Sequence, residues 1–181
     1  MAMFLMLKKF RSFFSSKTPK FDFEEQVVTV EDQKFDLRKA LPKDAIEYMK
    51  IQETIYPIPV PWPMDIVEME IGNKKALYLS LVDGEDVIAF IGIALSDKVE
   101  SHVTNLAVHV DYQKMGIGHL LMNQAFKYCR DRKFKKMSLE VDVTNKPALA
   151  LYEAFGFKVK TVHKKYYFRN HHDALEMMVD L

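Results

Sequence analysis

The stretch Asn105-Leu106-Ala107-Val108-His109-Val110-Asp111-Tyr112-Gln113-Lys114-Met115-Gly116-Ile117-Gly118 decides the reading of this chain. It opens in a strand predicted over about 102–110 and runs through a short polar loop into a helix predicted over about 116–132. In that helix Ile117, Leu121, Ala125 and Cys129 recur four apart. Gly116 and Gly118 carry no side chain, so backbone N–H groups can approach a bulky anion closely. Those groups sit at a helix N-terminus, where unpaired donors and the positive dipole end favour phosphate. The segment reads as strand, glycine loop and helix, with either a pyrophosphate cradle or a simple packing corner at its centre. Two familiar glycine loops do not fit. The dinucleotide fingerprint needs a third glycine where Leu121 stands, and the G-x-x-x-x-G-K-[ST] loop is missing.

Toward the N-terminus, Leu77, Leu79 and Leu81 alternate along a strand, Asp83-Gly84 makes a turn, and Val87 to Leu95 runs back as a hairpin. Before it come a short strand over 34–39, a helix opened by Leu41-Pro42-Lys43-Asp44, and a loop from Tyr56 to Pro63. Four prolines bar that loop from a helix or a central strand, and a short helix is predicted after it over 63–71. Toward the C-terminus a strand is predicted over 136–143, a helix over 146–155 and two strands near 157–168 and 174–180. The order β-α-α-β-β-β-α-β-α-β-β predicts an α/β (α+β) domain.

Bulk numbers bound the rest. A chain of 181 residues is one ordinary domain, and 49% hydrophobic with 28% charged residues suits a folded globular protein. Lys+Arg number 26 against 25 Asp+Glu, so no overall positive field points to direct nucleic-acid binding. Cys129 is the single cysteine, which excludes an internal disulfide and a cysteine-based zinc cluster and suits a reducing, cytoplasmic setting. The histidines are scattered, apart from His171-His172, and suggest no metal. No run of about 18 apolar residues occurs. Residues 1–20 hold five basic residues and no acid among large apolar ones. They read as a loose tail, or as an amphipathic segment touching a membrane surface or the ribosome.

In Met137-Ser138-Leu139-Glu140-Val141-Asp142-Val143 the residues Ser138, Glu140 and Asp142 share one strand face. That face is either solvated or chemical: two carboxylates could bind a cationic amine, or one could take its proton. Asn145 is a good helix cap ahead of Pro147. Tyr152 in the following helix is a core residue or a catalyst according to what it faces.

Taken together, Asn105 to Val108 with Asp111 to Gly118 resemble the acetyl-CoA motif of the GNAT superfamily of N-acetyltransferases. The stretch Leu139-Glu140-Val141, Asn145-Lys146-Pro147-Ala148 and Leu151 to Phe157 is similar to its second motif. The resemblance implies a single GNAT domain over 34–181 after an N-terminal extension over 1–33. It also implies a mixed, mostly antiparallel sheet of about six to seven strands flanked by about four helices. Pro61-Trp62, Tyr166-Tyr167 and Asp173-Ala174 further resemble the bacterial ribosomal-protein alanine N-acetyltransferases, while the hairpin tip Arg169-Asn170-His171-His172 and the longer N-terminus depart from them.

The resemblance implies acetyl-CoA as co-substrate, with no metal. Leu106, Ala107 and Val108 would pair with the pantetheine arm. Gln113, Lys114, Met115, Gly116, Ile117, Gly118 and His119 would wrap the pyrophosphate, and Asn145 would touch the cofactor. Glu140 matches the general base and Tyr152 the general acid. Trp62, Asp142 and Tyr167 are the substrate-side candidates, with Asp142 either holding a cationic group or raising the Glu140 pKa by like-charge proximity. The implied acceptor is a ribosomal-protein N-terminus. A small-molecule amine or a lysine side chain is the alternative acceptor, and a non-catalytic acyl-CoA sensor the alternative role. A terminal α-amine, with a pKa near 8, is far more often neutral at pH 7 than a lysine near 10.4.

Overall fold

Alternating apolar and polar residues set the strands over 33–39 and 136–142, whereas near-continuous apolar runs set the buried central strands over 76–83 and 86–95. The computed structural model describes residues 21–56, 60–96, 99–167 and 170–181. The strands are β1 (Gln26–Val30), β2 (Gln33–Lys39), β3 (Ala76–Asp83), β4 (Asp86–Leu95), β5 (Glu100–Val108), β6 (Lys136–Asp142), β7 (Lys158–His163) and β8 (Ala174–Asp180). The helices are α1 (Asp44–Ile55), α2 (Met64–Ile71), α3 (Ile117–Asp131) and α4 (Lys146–Ala154). One sheet runs β1-β2-β3-β4-β5-β6-β8-β7, and only β5 and β6 pair in parallel.

Eight strands form where about six to seven were expected. The additional one is β1, which lies inside the segment taken as an extension over 1–33, so the sheet starts ahead of residue 34. Val28 and Val30 turn into the core, and Glu31 and Asp32 make the two-residue turn with φ of 47° and 67°. A left-handed turn without glycine or asparagine carries no strong hairpin signal, which hid the strand. The stretch before β1 is also held: Arg132 donates to the Asp22 carbonyl at 3.0 Å and lies 3.7 Å over the Tyr128 ring. Residues 1–20, and with them the proposed membrane or ribosome contact, lie outside the described residues. The strand predicted to run to about 168 ends at His163, and β5 ends at Val108 before a 3₁₀ turn over Val110–Tyr112.

Each sheet face has its own core. On one, α3 and α4 bury Leu121, Met122, Ala125 and Tyr152 against Leu79, Ile91 and Leu139. On the other, α1 and α2 bury Tyr48, Ile51 and Val67 against Tyr78 and Phe90, with Tyr48 stacked on Phe90 at 3.8 Å. The buried Asp44 ties α1 to the sheet. It receives two hydrogen bonds from Arg38 (2.6 and 3.0 Å), one from Ser80 (2.8 Å) and one from the Leu41 backbone (2.9 Å). Burial works against this charge, yet those donors together hold the Asp44 carboxyl below its ordinary value.

Candidate active site

The site starts where two strands part. The β5–β6 pairing runs from Glu100↔Lys136 to Val103↔Leu139 and stops, although both strands continue. Beyond that point the β5 edge from Thr104 to Val108 has no strand on its β6 side, while its other edge still pairs with β4. This leaves a row of backbone donors and acceptors facing a wedge between strands. Leu106, Ala107 and Val108 line it.

The chain then passes through the glycine loop into α3. Lys114 and Gly116 both take left-handed backbone, φ 68° and 85°, and Gly116 caps α3 with no side-chain hydrogen bond. The turn therefore presents N–H groups of the first helical turn rather than covering them. Gln113 braces the loop by donating to the Val108 carbonyl at 3.1 Å. Gly118 faces Leu151 of α4, with 3.4 Å of room for a Cβ, so the two helices approach closely here. Met115 and Ile117 point inward, whereas Lys114 and His119 are exposed. A wedge with free backbone edges leading to an open helix terminus fits the pantetheine and pyrophosphate of a CoA thioester. Asn145 caps α4 by accepting from the Ala148 N–H at 3.2 Å, so its amide oxygen is already engaged.

Glu140 stands on β6 just past the parting point, its side chain 4% exposed. His102 of β5 reaches it, Nε2 to Oε2, at 3.0 Å. Directly across on β8 is Glu176, bonded to His163 at 2.7 Å and near Lys160 at 3.8 Å. Sequence reading did not select His102, because pairing of residues 102 and 138 in parallel register has no local signal.

Four phenols on the elements around this fork are raised by burial. Burial, with Tyr56 second, pushes Tyr152 well above the usual tyrosine range, so it keeps its proton at neutral pH. Tyr166 and Tyr167 are raised in the same way: burial leads, and the Glu140 charge adds to both. Tyr56 is raised by burial and then by Asp142. Tyr56 and Tyr166 join the site without having been selected as site residues. Adjacent aromatics in a closing hairpin were the available signal for Tyr166.

Asp142 is engaged in hydrogen bonds of its own. Its Oδ1 accepts from the Thr144 N–H (2.8 Å) and hydroxyl (2.7 Å), and its Oδ2 lies 2.9 Å from His172 Nδ1. Burial opposes its charge, but these bonds hold its carboxyl below the ordinary value. Asp142 thereby fastens the loop carrying Tyr166 and Tyr167 to β6. Trp62 is held through its backbone: Gln52 accepts from its N–H and donates to its carbonyl, both at 3.2 Å. The residues before it, 57–59, and the hairpin-tip residue Arg169 lie outside the described ones. Cys129 is buried, and burial pushes its thiol up to about 11, which suits packing rather than attack. Among the described residues no group of three or more His, Cys, Asp or Glu side chains could hold a metal, and no helix is long and apolar enough to cross a membrane.

A parted parallel pair beside an open glycine loop, with the buried Glu140 just past the fork, has the features an acyl-CoA site needs. Residues 45–157 match the family model of the acetyltransferase (GNAT) family. The chain belongs to that family. This GNAT protein is 30% identical over 147 residues to a Bacillus subtilis (strain 168) candidate ribosomal protein bS18-alanine N-acetyltransferase, across 77% of this chain and 97% of the relative. It is 31% identical over 145 residues to an N-alpha-acetyltransferase of Saccharolobus solfataricus, across 74% and 86% of the two chains. The crystal structure of the ribosomal-protein-S18-alanine N-acetyltransferase from Escherichia coli matches with a TM-score of 0.72 at 25% identity, covering 80% of this chain and 92% of that one. The GNAT protein described here is an acetyl-CoA-dependent N-acetyltransferase.

Proposed function

We propose that this acetyltransferase modifies the α-amine of a protein N-terminus, and that its acceptor is the alanine terminus of a small-subunit ribosomal protein. The observation that carries this reading is the Glu140 carboxylate, buried just past the strand fork, whose charge reaches Tyr166 and Tyr167 of the closing loop. A single carboxylate suffices for an amine whose pKa is already near 8. The activities for which the bacterial and archaeal relatives are named support the same class of acceptor.

Acetyl-CoA supplies an acetyl group activated as a thioester. Backbone groups of Leu106, Ala107 and Val108 would hold its arm, the loop from Gln113 to His119 its pyrophosphate, and Asn145 would flank it. Glu140 accepts the proton the amine must lose, and Tyr152 keeps a proton available for the departing sulfur. Tyr167 and Trp62 would frame the acceptor, and Asp142 acts by holding the Tyr166-Tyr167 loop in place.

Thiol release from acetyl-CoA tests the proposal. One peptide carries a free N-terminal alanine; its control has a blocked terminus and an internal lysine. Turnover is expected with the free alanine alone, and Glu140→Gln should lower kcat by about 100-fold or more while acetyl-CoA binding persists. Turnover with the lysine peptide alone would refute the N-terminal assignment.

A further inference from the structure

Gln52 is a fully buried amide in α1, in a helix whose other buried residues include Tyr48 and Ile51. A buried amide is costly unless both of its polar ends are paired. Here both ends meet one residue. Oε1 accepts from the Trp62 N–H and Nε2 donates to the Trp62 carbonyl, each at 3.2 Å, and Nε2 also reaches Met49 Sδ at 3.6 Å. Pairing with both backbone groups of one residue fixes that residue's direction as well as its distance. An amide turned over would set N–H against N–H and oxygen against oxygen.

The same residue holds the other end of the connection between α1 and α2. The Gln52 backbone carbonyl accepts from the Tyr56 N–H at 2.8 Å, the bond that caps α1 as the chain turns extended at Tyr56 (φ −117°, ψ 143°). Tyr56 and Trp62 are therefore both tied to Gln52. The local sequence offers few substitutes for these bonds. Pro57, Pro59, Pro61 and Pro63 have no N–H, so Trp62 carries the single backbone donor of residues 61–63, and Gln52 takes it.

Both tied residues face the acceptor side of the site. Tyr56 lies within electrostatic reach of Asp142, Tyr152 and Tyr167. Trp62 packs, half-buried, against the core beneath α1 and α2. The residues assigned to acetyl-CoA at 106–108 and 113–119 belong to other elements, β5 and the start of α3. We propose that Gln52 is a positioning residue for the acceptor: by gripping both ends of the Tyr56–Trp62 connection, it sets how these two residues meet the incoming amine. This rests on the reading that Trp62 helps to frame the acceptor.

Trp62 is the single tryptophan of the chain, so its fluorescence reports the placement of this connection directly. Gln52→Met is the discriminating variant, because it keeps the length of the side chain and removes both bonds to Trp62. The full-length enzyme is assayed by thiol release with the alanine peptide, and Trp62 is quenched with acrylamide in the protein alone. In Gln52→Met the KM for the alanine peptide should rise about tenfold while that for acetyl-CoA stays within about twofold of the parent. Acrylamide should quench Trp62 more steeply than in the parent. Gln52→Glu keeps an oxygen for the Trp62 N–H and should raise the peptide KM about threefold, which carries the same test if Gln52→Met does not fold. An equal rise in KM for both substrates, or a lower thermal midpoint beside a parent-like peptide KM, would make Gln52 a residue of stability alone and overturn the proposal. Parent-like quenching and KM in both variants, with the parent active on the alanine peptide, would overturn it and leave the acceptor reading standing. If the parent turns over neither the alanine nor the lysine peptide, the acceptor reading fails first and the positioning role with it.

Discussion

Tyr152 shows how burial prepares a side chain for chemistry. Its ring is packed in the core beside Phe157, centroids 5.8 Å apart, and burial holds its phenol protonated far above neutral pH. Tyr152→Phe keeps the ring and removes only its hydroxyl, the proton donor. Its kcat is expected to fall about 100-fold while acetyl-CoA affinity in a direct binding measurement stays unchanged. Gly92 makes a contrasting case, in which the missing side chain is the functional feature. A Cβ at this position would collide with the Tyr78 ring and the Thr104 hydroxyl, which are themselves hydrogen-bonded at 2.9 Å. The β4–β5 register shifts beside it, between Gly92 and Ile93, at the point where β5 leaves β6. Gly92→Ala should cost about 2 kcal/mol or more by overpacking, read as a lower denaturant midpoint.

Among the elements, the β1–β2 hairpin is a place where sequence and conformation disagree. Glu31 and Asp32 both occupy left-handed backbone, which side chains other than Asn and Gly adopt at a cost. Replacing the pair with Asn-Gly leaves Val28, Val30 and the register Val30↔Gln33 untouched. The double variant should be more stable by about 0.5–1 kcal/mol, seen as a raised thermal midpoint with unchanged kcat. The glycine loop before α3 shows the reverse agreement. There Gly116 meets its φ of 85° without strain, and a side chain would be held in a rare conformation although space is open around it.

For the molecule as a whole, pH dependence separates two buried carboxyls. Glu70, near the end of α2, is 4% exposed, and its Oε2 has no hydrogen-bond partner among the described residues. Burial pushes its pKa up to about 7 from an ordinary 4.5. The folded protein therefore holds this proton more tightly than the unfolded chain, and stability falls as pH rises between those values. The loss amounts to at most about 3 kcal/mol and is complete above pH 7. Glu70→Gln should flatten the fall in thermal midpoint between pH 5 and pH 8, and an equally steep fall in the variant would contradict it. Asp44 acts oppositely. Its depressed pKa gives stability that is present above the ordinary carboxylate value and lost only as pH drops below it, outside that window.

Local chemistry made much of this protein legible from its residues alone. Alternation marked β3 and β6, the Asp83-Gly84 turn marked β4, helical spacing marked α3, and the glycine loop between β5 and α3 pointed to an anion site. Those signals are short-ranged: they depend on side-chain period, backbone freedom and helix-end donors, all fixed within a few neighbours. The family resemblance then matched Glu140 and Tyr152 to roles. Tertiary structure decided the rest. Strand β1 needed its turn closed against β2, and Asp142 turned out to serve the loop through Thr144 and His172. The contact between His102 and Glu140 exists only because β5 and β6 pair in one parallel register before they part. Register between strands some thirty-five residues apart is set by the packing of two cores on opposite sheet faces, so the sequence named the residues and the fold chose their neighbours.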